Sequence, residues 1–263
     1  NKAAQNEFQC VSGQEQGGVD YVLPNAAFIH GIGLTTADVG LMVADSTSLI
    51  WSPRSNISFY GMTAHAPLYD RLGALVALGS DWVPSGSMNI LRELACAEYF
   101  NSNFWHGYFS EEDLVAMVTR NAAQTLGFGD LLGSLVVGKA ADIAVWDARQ
   151  NQGYRAILDA EAPDVTLVIR GGDILYGDSS LVGALSASKD CDIVDVCGVQ
   201  KRLCTKSEGG ISLFDLTAEV GDAYPLFFCG SPDDEPTCHP ARQGEFTGSI
   251  SPKDSDGDGT DDG

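Results

Sequence analysis

The stretch Leu75-Val76-Ala77-Leu78-Gly79-Ser80-Asp81 decides the fold. Four apolar residues run without alternation into Gly79, the form of a strand covered on both faces. Two earlier segments have the same form: Ala26-Ala27-Phe28-Ile29-His30, which ends at Gly31, and Ser48-Leu49-Ile50-Trp51, which Pro53 stops. Helical signals lie between them. Thr36 to Ala44 spaces Val39, Leu41, Met42 and Val43 behind a Thr cap, and Ala66 to Leu72 forms a short helix. A longer helix runs from about Ser87 to Phe100. Strand-then-helix order repeated in this way predicts an α/β fold, a parallel sheet with helices outside it. In such folds the side chains at the carboxyl ends of strands carry function. His30 and Asp81 sit there.

The pattern then changes. Ser110-Glu111-Glu112-Asp113 has the form of a capping box. A helix continues from it through Leu114, Met117, Val118, Ala122 and Leu126, with Gly127 as the natural residue past its end. Leu135-Val136-Val137 and Ile143-Ala144-Val145-Trp146 read as strands joined by a Gly138-Lys139 turn. Val165 to Ile169 and Asp173 to Tyr176 form a hairpin around Gly171-Gly172. These strands predict a separate small sheet. After Asp178 the periodicity fades.

Composition narrows the function. The chain has 263 residues, 44% of them hydrophobic and 19% charged, which suits one large or two modest globular domains. With 15 Lys and Arg against 36 Asp and Glu, the net charge of −21 disfavours a phosphate backbone, so no nucleic-acid partner is expected. No run of about 18 apolar residues occurs, so no membrane-spanning helix is expected. From Glu208 onward there are 13 acidic and two basic residues, a separate acidic tail. Five of the seven cysteines lie in the last third, among Gly, Pro and Asp. That context points to disulfides and to an extracellular or periplasmic location. Seven is odd, so one thiol lacks a partner within the chain; connectivity stays open, with Cys229 and Cys238 able to close a small ring. The start at Asn1, with neither Met nor a basic-then-apolar leader, sets the expectation of a processed product or a fragment.

Four pieces, in order, carry a family resemblance: His30-Gly31-Ile32-Gly33-Leu34-Thr35; Ser52-Pro53-Arg54-Ser55-Asn56 with Tyr60-Gly61; Leu78-Gly79-Ser80-Asp81-Trp82 followed by Pro84-Ser85-Gly86-Ser87; and Thr119-Arg120-Asn121-Ala122-Ala123 with Leu126-Gly127, Gly133-Ser134-Leu135, Gly138-Lys139 and Ala141-Asp142. Together they resemble the C-terminal part of the amidohydrolase superfamily, in its cytosine-deaminase and chlorohydrolase-like branch. The resemblance implies strands 6 to 8 of a (β/α)₈ TIM barrel, followed by part of a small composite β-sandwich domain and an irregular tail. It implies metal-assisted hydrolysis of a C–N or related bond in a small-molecule substrate, with Zn2+ or Fe2+ lowering the pKa of a bound water. Asp81 matches the aspartate that binds metal and takes the water proton. His30 matches the histidine that binds a second metal in binuclear members and contacts water or substrate in mononuclear ones. By position, Arg54, Asn56, Trp82 and Ser85 are candidate substrate-binding residues.

Blander readings stand beside these. His30 could be a strand-end histidine bonded to backbone, Asp81 a loop cap before Ser85, and Asn56 a turn residue. His65, His106 and His239 show no partner pattern. Asn56-Ile57-Ser58 fits a glycosylation sequon, against which a pocket-facing position argues.

The departure from the family is large. Its metal sites also use a His-x-His pair and a further histidine, and no His-x-His occurs here. Two ligands do not make a zinc site, and a whole barrel takes about 250 residues. The resemblance therefore implies the rear of a longer enzyme, partnered by a missing N-terminal half of the barrel and inactive alone. Its parts would be barrel units over 1–130, a sandwich segment over 131–180, a Cys-containing irregular extension over 181–248 and an acidic tail over 249–263. In that tail, Asp254, Asp256, Asp258 and Thr260 have the spacing of a Ca2+ loop, and the segment resembles the start of thrombospondin type 3 repeats. The alternative function is thus a non-catalytic, secreted, calcium-binding structural module derived from an amidohydrolase. Two unpaired edges on a three-strand sheet predict association of the isolated chain, homo-oligomerisation included.

Overall fold

The computed structural model describes residues 2–185, 191–221 and 225–241. The calcium-loop residues Asp254, Asp256, Asp258 and Thr260 lie outside them. The chain divides into two compact units, Asn1–Gly129 with Glu235–Gly263, and Asp130–Asp234. The expected boundaries at 130 and 180 become one boundary near 130 and a return of the chain to the first unit at Glu235.

In chain order the first unit contains α1 (Lys2–Val11), β1 (Ala27–Ile29), α2 (Thr36–Ala44), β2 (Ser48–Trp51), α3 (Pro53–Tyr60), α4 (Ala66–Leu72), β3 (Val76–Leu78), α5 (Ile90–Phe104), α6 (Glu111–Met117) and α7 (Arg120–Thr125). The strands pair in sequence order, β1-β2-β3, all parallel. Ile29 faces Ile50 in register, and Ile50 faces Ala77. Val39, Met42, Leu49, Trp51, Phe100 and Leu94 are all at most 1% exposed and form the core. The Thr35 hydroxyl caps α2 and Asp38 completes the capping box. Ser110 and Asp113 do the same for α6.

Three features depart from the sequence reading. Pro53–Tyr60 is helical, with Pro53 in the first turn where its missing N–H costs nothing. Apolar periodicity could not announce this helix, because the residues it buries include Arg54, Ser55 and Asn56. The α5 helix starts at Ile90 behind an Asn89 cap, because the Ser87 hydroxyl is spent on Glu93. The helix expected through Leu126 breaks at Thr119, which has φ −125° and ψ −97°. The Thr119 hydroxyl donates back to the Val115 carbonyl at 2.8 Å, a local bond that competes with the helical ladder.

The second unit contains β4 (Ile143–Trp146), α8 (Arg155–Leu158), β5 (Val165–Arg170), β6 (Asp173–Asp178), α9 (Ser179–Ala184), β7 (Asp192–Val196), β8 (Val199–Leu203), α10 (Thr205–Gly209) and α11 (Leu213–Val220). Five strands form an antiparallel sheet in the order β4-β5-β6-β8-β7. The 181–248 segment is therefore not irregular throughout, since β7 and β8 extend the sheet. Those strands are short and laced with charge, Asp192-Ile193-Val194-Asp195-Val196 and Val199-Gln200-Lys201-Arg202-Leu203, which hid them. Leu135-Val136-Val137 is not a strand. Its side chains are exposed and the Lys139 ammonium ties the turn to the Leu132 carbonyl and Ser134 hydroxyl.

Three disulfides form: Cys96–Cys238, Cys191–Cys204 and Cys197–Cys229. The small Cys229–Cys238 ring is therefore corrected, and Cys10 is the free thiol among the seven. Cys96–Cys238 closes a separation of 142 residues. It fastens the returning segment to α5, and by loop entropy a closure of that length contributes about 5 kcal/mol. Beside it Glu235, 8% exposed in its side chain, pairs with Arg54 at 3.2 Å and with Arg92. Burial lowers the pKa of the Arg54 guanidinium, with Glu235 the largest charge opposing that shift.

Removing one partner of a buried pair leaves the other uncompensated. Glu235→Ala should therefore cost about 3–5 kcal/mol in urea unfolding of the oxidised chain. Glu112→Ala, which breaks the exposed pair with Arg120, should cost under about 1 kcal/mol. Equal losses would show that Glu235 contributes no more than a surface charge.

Candidate functional site

β1 ends at Ile29, so His30 is the first residue past its carboxyl end. β3 ends at Leu78, and Gly79-Ser80 carry the chain to Asp81. Both His30 (φ 71°) and Asp81 (φ 59°) lie in the left-handed region. Non-glycine residues there are uncommon and collect at sites where side-chain aim outweighs backbone comfort. Gly31 follows at φ 63°, and a Cβ on it would lie 2.5 Å from a Leu49 methyl and 2.8 Å from the Tyr69 hydroxyl. That hydroxyl donates to the Gly31 carbonyl at 2.6 Å, and burial raises its pKa.

The imidazole and the carboxylate meet. His30 Nε2 lies 3.7 Å from Asp81 Oδ2, and each side chain is 26% exposed. Asp81 Oδ1 accepts from the Trp82 amide at 2.8 Å, and Oδ2 accepts from the Ser55 hydroxyl. On the other side of the ring, His30 Nδ1 lies 2.8 Å from the Asn56 amide. Tyr60 meets the imidazole edge to face, with ring centres 5.9 Å apart. A cavity of about 310 Å³ borders His30, with Phe8, Phe28, Ile32, Leu34 and Tyr60 in its apolar wall and Glu7 its carboxylate.

The other predicted residues fall in different places. Asn56 is fully buried and touches His30, so its sequon is not exposed. Arg54 is 5% exposed and its guanidinium is engaged by the Ser87 hydroxyl at 2.7 Å, the Pro236 carbonyl and Glu235. Those contacts consume the charge, which leaves Arg54 no open face for substrate. Trp82 is 67% exposed. Ser85 is buried in the Asp81–Ser87 loop, where its amide and hydroxyl both bond to the Trp82 carbonyl. Gly86 lets that loop close, because a Cβ on it would stand 1.9 Å from the Ser80 carbonyl oxygen. His65 and His106 have no place in this cluster, and His239 accepts or donates at 2.7 Å with the Tyr99 hydroxyl.

Ser55, Thr63 and Glu93 escaped the sequence reading. Ser55 belongs to the Ser52–Asn56 motif, and its position beside Asn56 was the available signal. Glu93 offered none, being one acidic residue on a helix. It is fully buried, accepting from the Arg54 amide at 3.1 Å and the Ser87 hydroxyl at 2.5 Å. Desolvation pushes its pKa up to about 7.

Metal chemistry meets a clear limit. Imidazole and carboxylate are standard zinc donors, and Asp81 retains the oxygen character that such a site needs. Among the described residues, no group of three His, Cys, Asp or Glu side chains is placed to hold an ion. His30 and Asp81 alone do not satisfy zinc, which takes at least three protein ligands.

The parallel strand-and-helix layer carries His30 and Asp81 at its strand ends, the place where barrel enzymes carry their functional side chains. Residues 17–175 match the sequence profile of the amidohydrolase family, and the chain belongs to that family. It is 26% identical over 198 residues to 5'-deoxyadenosine deaminase of Methanoregula boonei, covering 70% of this chain and 43% of that protein. It is 30% identical over 122 residues to 5-methylthioadenosine/S-adenosylhomocysteine deaminase of Teredinibacter turnerae, covering 45% and 28% respectively. Among solved structures, a zinc-bound adenosine deaminase from Xanthomonas campestris superposes with a TM-score of 0.56 at 22% identity, over 64% of this chain and 42% of that one. Escherichia coli guanine deaminase gives 0.54 at 19%, over 67% and 46%. These likenesses show a TIM-barrel-like fold of mixed α/β content. The chain spans less than half the length of these relatives.

Glu93 gives a pH test. An acid whose folded pKa is raised from 4.5 to about 7 favours folding while protonated. Its contribution is complete below the unfolded pKa and is lost as pH rises through about 7, on the order of 3 kcal/mol in all. Thermal melts of wild type and Glu93→Gln across pH 4 to 8 check this, and the variant's curve should be the flatter between pH 4.5 and 7. Parallel curves would mean that Glu93 does not titrate there.

Proposed function

We propose that this chain is the rear part of a metal-dependent amidohydrolase that attacks a C–N bond of a small molecule. On this reading the β1-β2-β3 layer corresponds to strands 6 to 8 of the barrel, and the five-stranded sheet to part of the accompanying sandwich. The observation that carries it is the 3.7 Å approach of His30 Nε2 to Asp81 Oδ2 at the carboxyl ends of β1 and β3. The deaminase relatives favour an amino group on a heteroaromatic ring as the leaving group, among the C–N bonds that the family cleaves.

Asp81 is the residue we assign to metal binding and to proton transfer. A zinc ion held there with further ligands would supply a water of lowered pKa. The Ser55 hydroxyl and Trp82 amide fix the carboxylate, so it receives a proton without reorienting. His30 lies beside it, able to contact the water or substrate. The apolar wall next to His30 suits the uncharged part of a heterocycle. Trp82, 67% exposed against 42% for Val83, is the loop residue we assign to substrate contact. Arg54 and Ser85, with their groups consumed, become supports for the loop. The remaining metal ligands would come from elsewhere in the complete protein. Three disulfides support an extracellular or periplasmic location.

The test uses the native product from its source, assayed for zinc content and for ammonia release from adenine and guanine nucleosides. The expected result is zinc-dependent release that Asp81→Asn lowers by about 10²–10⁴-fold. Activity unchanged in Asp81→Asn would sink this assignment. A native product with no bound transition metal would favour the non-catalytic module.

A further inference from the structure

The Asn56 amide has five polar neighbours that differ in kind, one of them the His30 carbonyl oxygen, 3.4 Å from the end that faces Thr63. The Ser52 carbonyl oxygen lies 3.0 Å from one end, and the same end faces His30 Nδ1 at 2.8 Å. The Ala64 amide nitrogen lies 3.3 Å from the other end, and Thr63 Oγ1 lies 3.2 Å from it. A carbonyl oxygen can only accept, and a backbone N–H can only donate. The NH₂ of Asn56 therefore points to Ser52, and its oxygen points to Ala64. The opposite placement sets oxygen against oxygen at 3.0 Å and N–H against N–H at 3.3 Å, whereas this one leaves a single longer mismatch, the 3.4 Å between the Asn56 oxygen and the His30 carbonyl. Thr63 agrees with this orientation: it accepts from Trp51 Nε1 at 2.7 Å, which leaves its own hydroxyl hydrogen for the Asn56 oxygen.

The consequence falls on the imidazole. With an NH₂ hydrogen aimed at it, His30 Nδ1 must be the acceptor and cannot carry the proton. A neutral imidazole then carries its proton on Nε2, the nitrogen that faces Asp81. We propose that Asn56 is a positioning residue that locks His30 as the Nε2–H tautomer, so that His30 offers a hydrogen-bond donor, not a metal lone pair, beside Asp81. This deepens the proposed hydrolase reading and rests on it for the catalytic meaning. Of the two roles open to such a histidine, it selects contact with water or substrate. Asp81 is then the single metal ligand that this chain supplies. The ligand class follows: a substrate atom with an accessible lone pair, such as a ring nitrogen or a carbonyl oxygen, next to the carbon under attack.

The buried position of Asn56 makes the lock rigid. It is 0% exposed, and its contacts come from the end of β2, the strand-end His30 and the α3–α4 connection. Rotation of the amide would set its oxygen against the Ser52 carbonyl and take the acceptor from the buried Ala64 N–H, a loss of about 1–3 kcal/mol.

The test is nitrogen NMR on the oxidised, uniformly ¹⁵N-labelled 263-residue chain, with the His30 ring assigned by its loss in His30→Phe. The expected spectrum shows His30 Nε2 protonated and Nδ1 unprotonated, with a through-hydrogen-bond coupling between Asn56 Nδ2 and His30 Nδ1. Asn56→Asp replaces the donor by an acceptor, and the two ring nitrogens should then exchange their protonation. A wild-type ring protonated on Nδ1 overturns the proposal. So does absence of the coupling, or an unchanged ring in a folded Asn56→Asp. The wild-type spectrum decides even where the variant does not fold. None of these readouts needs turnover, so a native product without zinc-dependent activity, beside the expected spectrum in this chain, sinks the hydrolase reading and leaves the tautomer lock standing.

Discussion

The structure depends on the burial of a polar run. Ser52, Arg54, Ser55 and Asn56 are each at most 5% exposed, directly after the central strand β2. Taking such groups from water without partners would cost about 1–3 kcal/mol apiece, and more for the guanidinium. Three neighbouring residues meet that cost in three ways. Arg54 binds Ser87, Pro236 and Glu235; Ser55 binds Asp81; Asn56 binds His30 and the Ser52 carbonyl. Successive helix residues point about 100° apart, since a turn takes 3.6 of them. One turn of α3 thus reaches both catalytic candidates and the returning segment.

That arrangement links distant parts of the sequence. Glu235 and Cys238 return to the first unit after the whole second unit, and both bind residues of α5. Glu93 on the same helix accepts the Arg54 amide. The returning segment also hydrogen-bonds α3, where the Ala241 amide reaches the Gly61 carbonyl. Residues 235–241 are therefore bonded directly to α3 and to its C-terminal Gly61.

Much of this fold was legible, because β1, β2 and β3 are short apolar runs closed by Gly or Pro and the helices α2 and α4 carry caps or Pro starts. The strand-end positions of His30 and Asp81 were legible too, since they sit where the apolar runs end, at Gly31 and Gly79-Ser80. What was not legible is what polar burial controls. Helix α3 has no apolar stripe, because its inward residues are the hydrogen-bonding ones. Arg54 was a candidate substrate contact by its position in the motif, and the partners that engage it include Glu235, 181 positions away. Cysteine spacing could not choose among pairings, and Cys96–Cys238 joins residues that no local pattern connects. β7 and β8 were hidden by their charge: Lys201 is fully buried, yet its ammonium is matched by the Pro163 and Val165 carbonyls and by Asp178.

The same distinction separates the aim of the pair from its completeness. Aiming His30 and Asp81 takes only contacts within about fifty residues: Asn56, Ser55, Trp82 and two left-handed backbone turns. All of them lie within this one layer, and Ser55 and Asn56 are fully buried in it. A ligand count is different in kind. It requires donors from several strands converging on one point, and among the described residues no third donor joins the two. The aim of His30 and Asp81 is thus a local property of this chain, whereas on the proposed reading a closed metal set would need donors from outside it. The orientation of Asn56 sharpens the division, since a histidine held as a donor asks for no metal of its own and leaves the carboxylate as the point where the rest of the site must join.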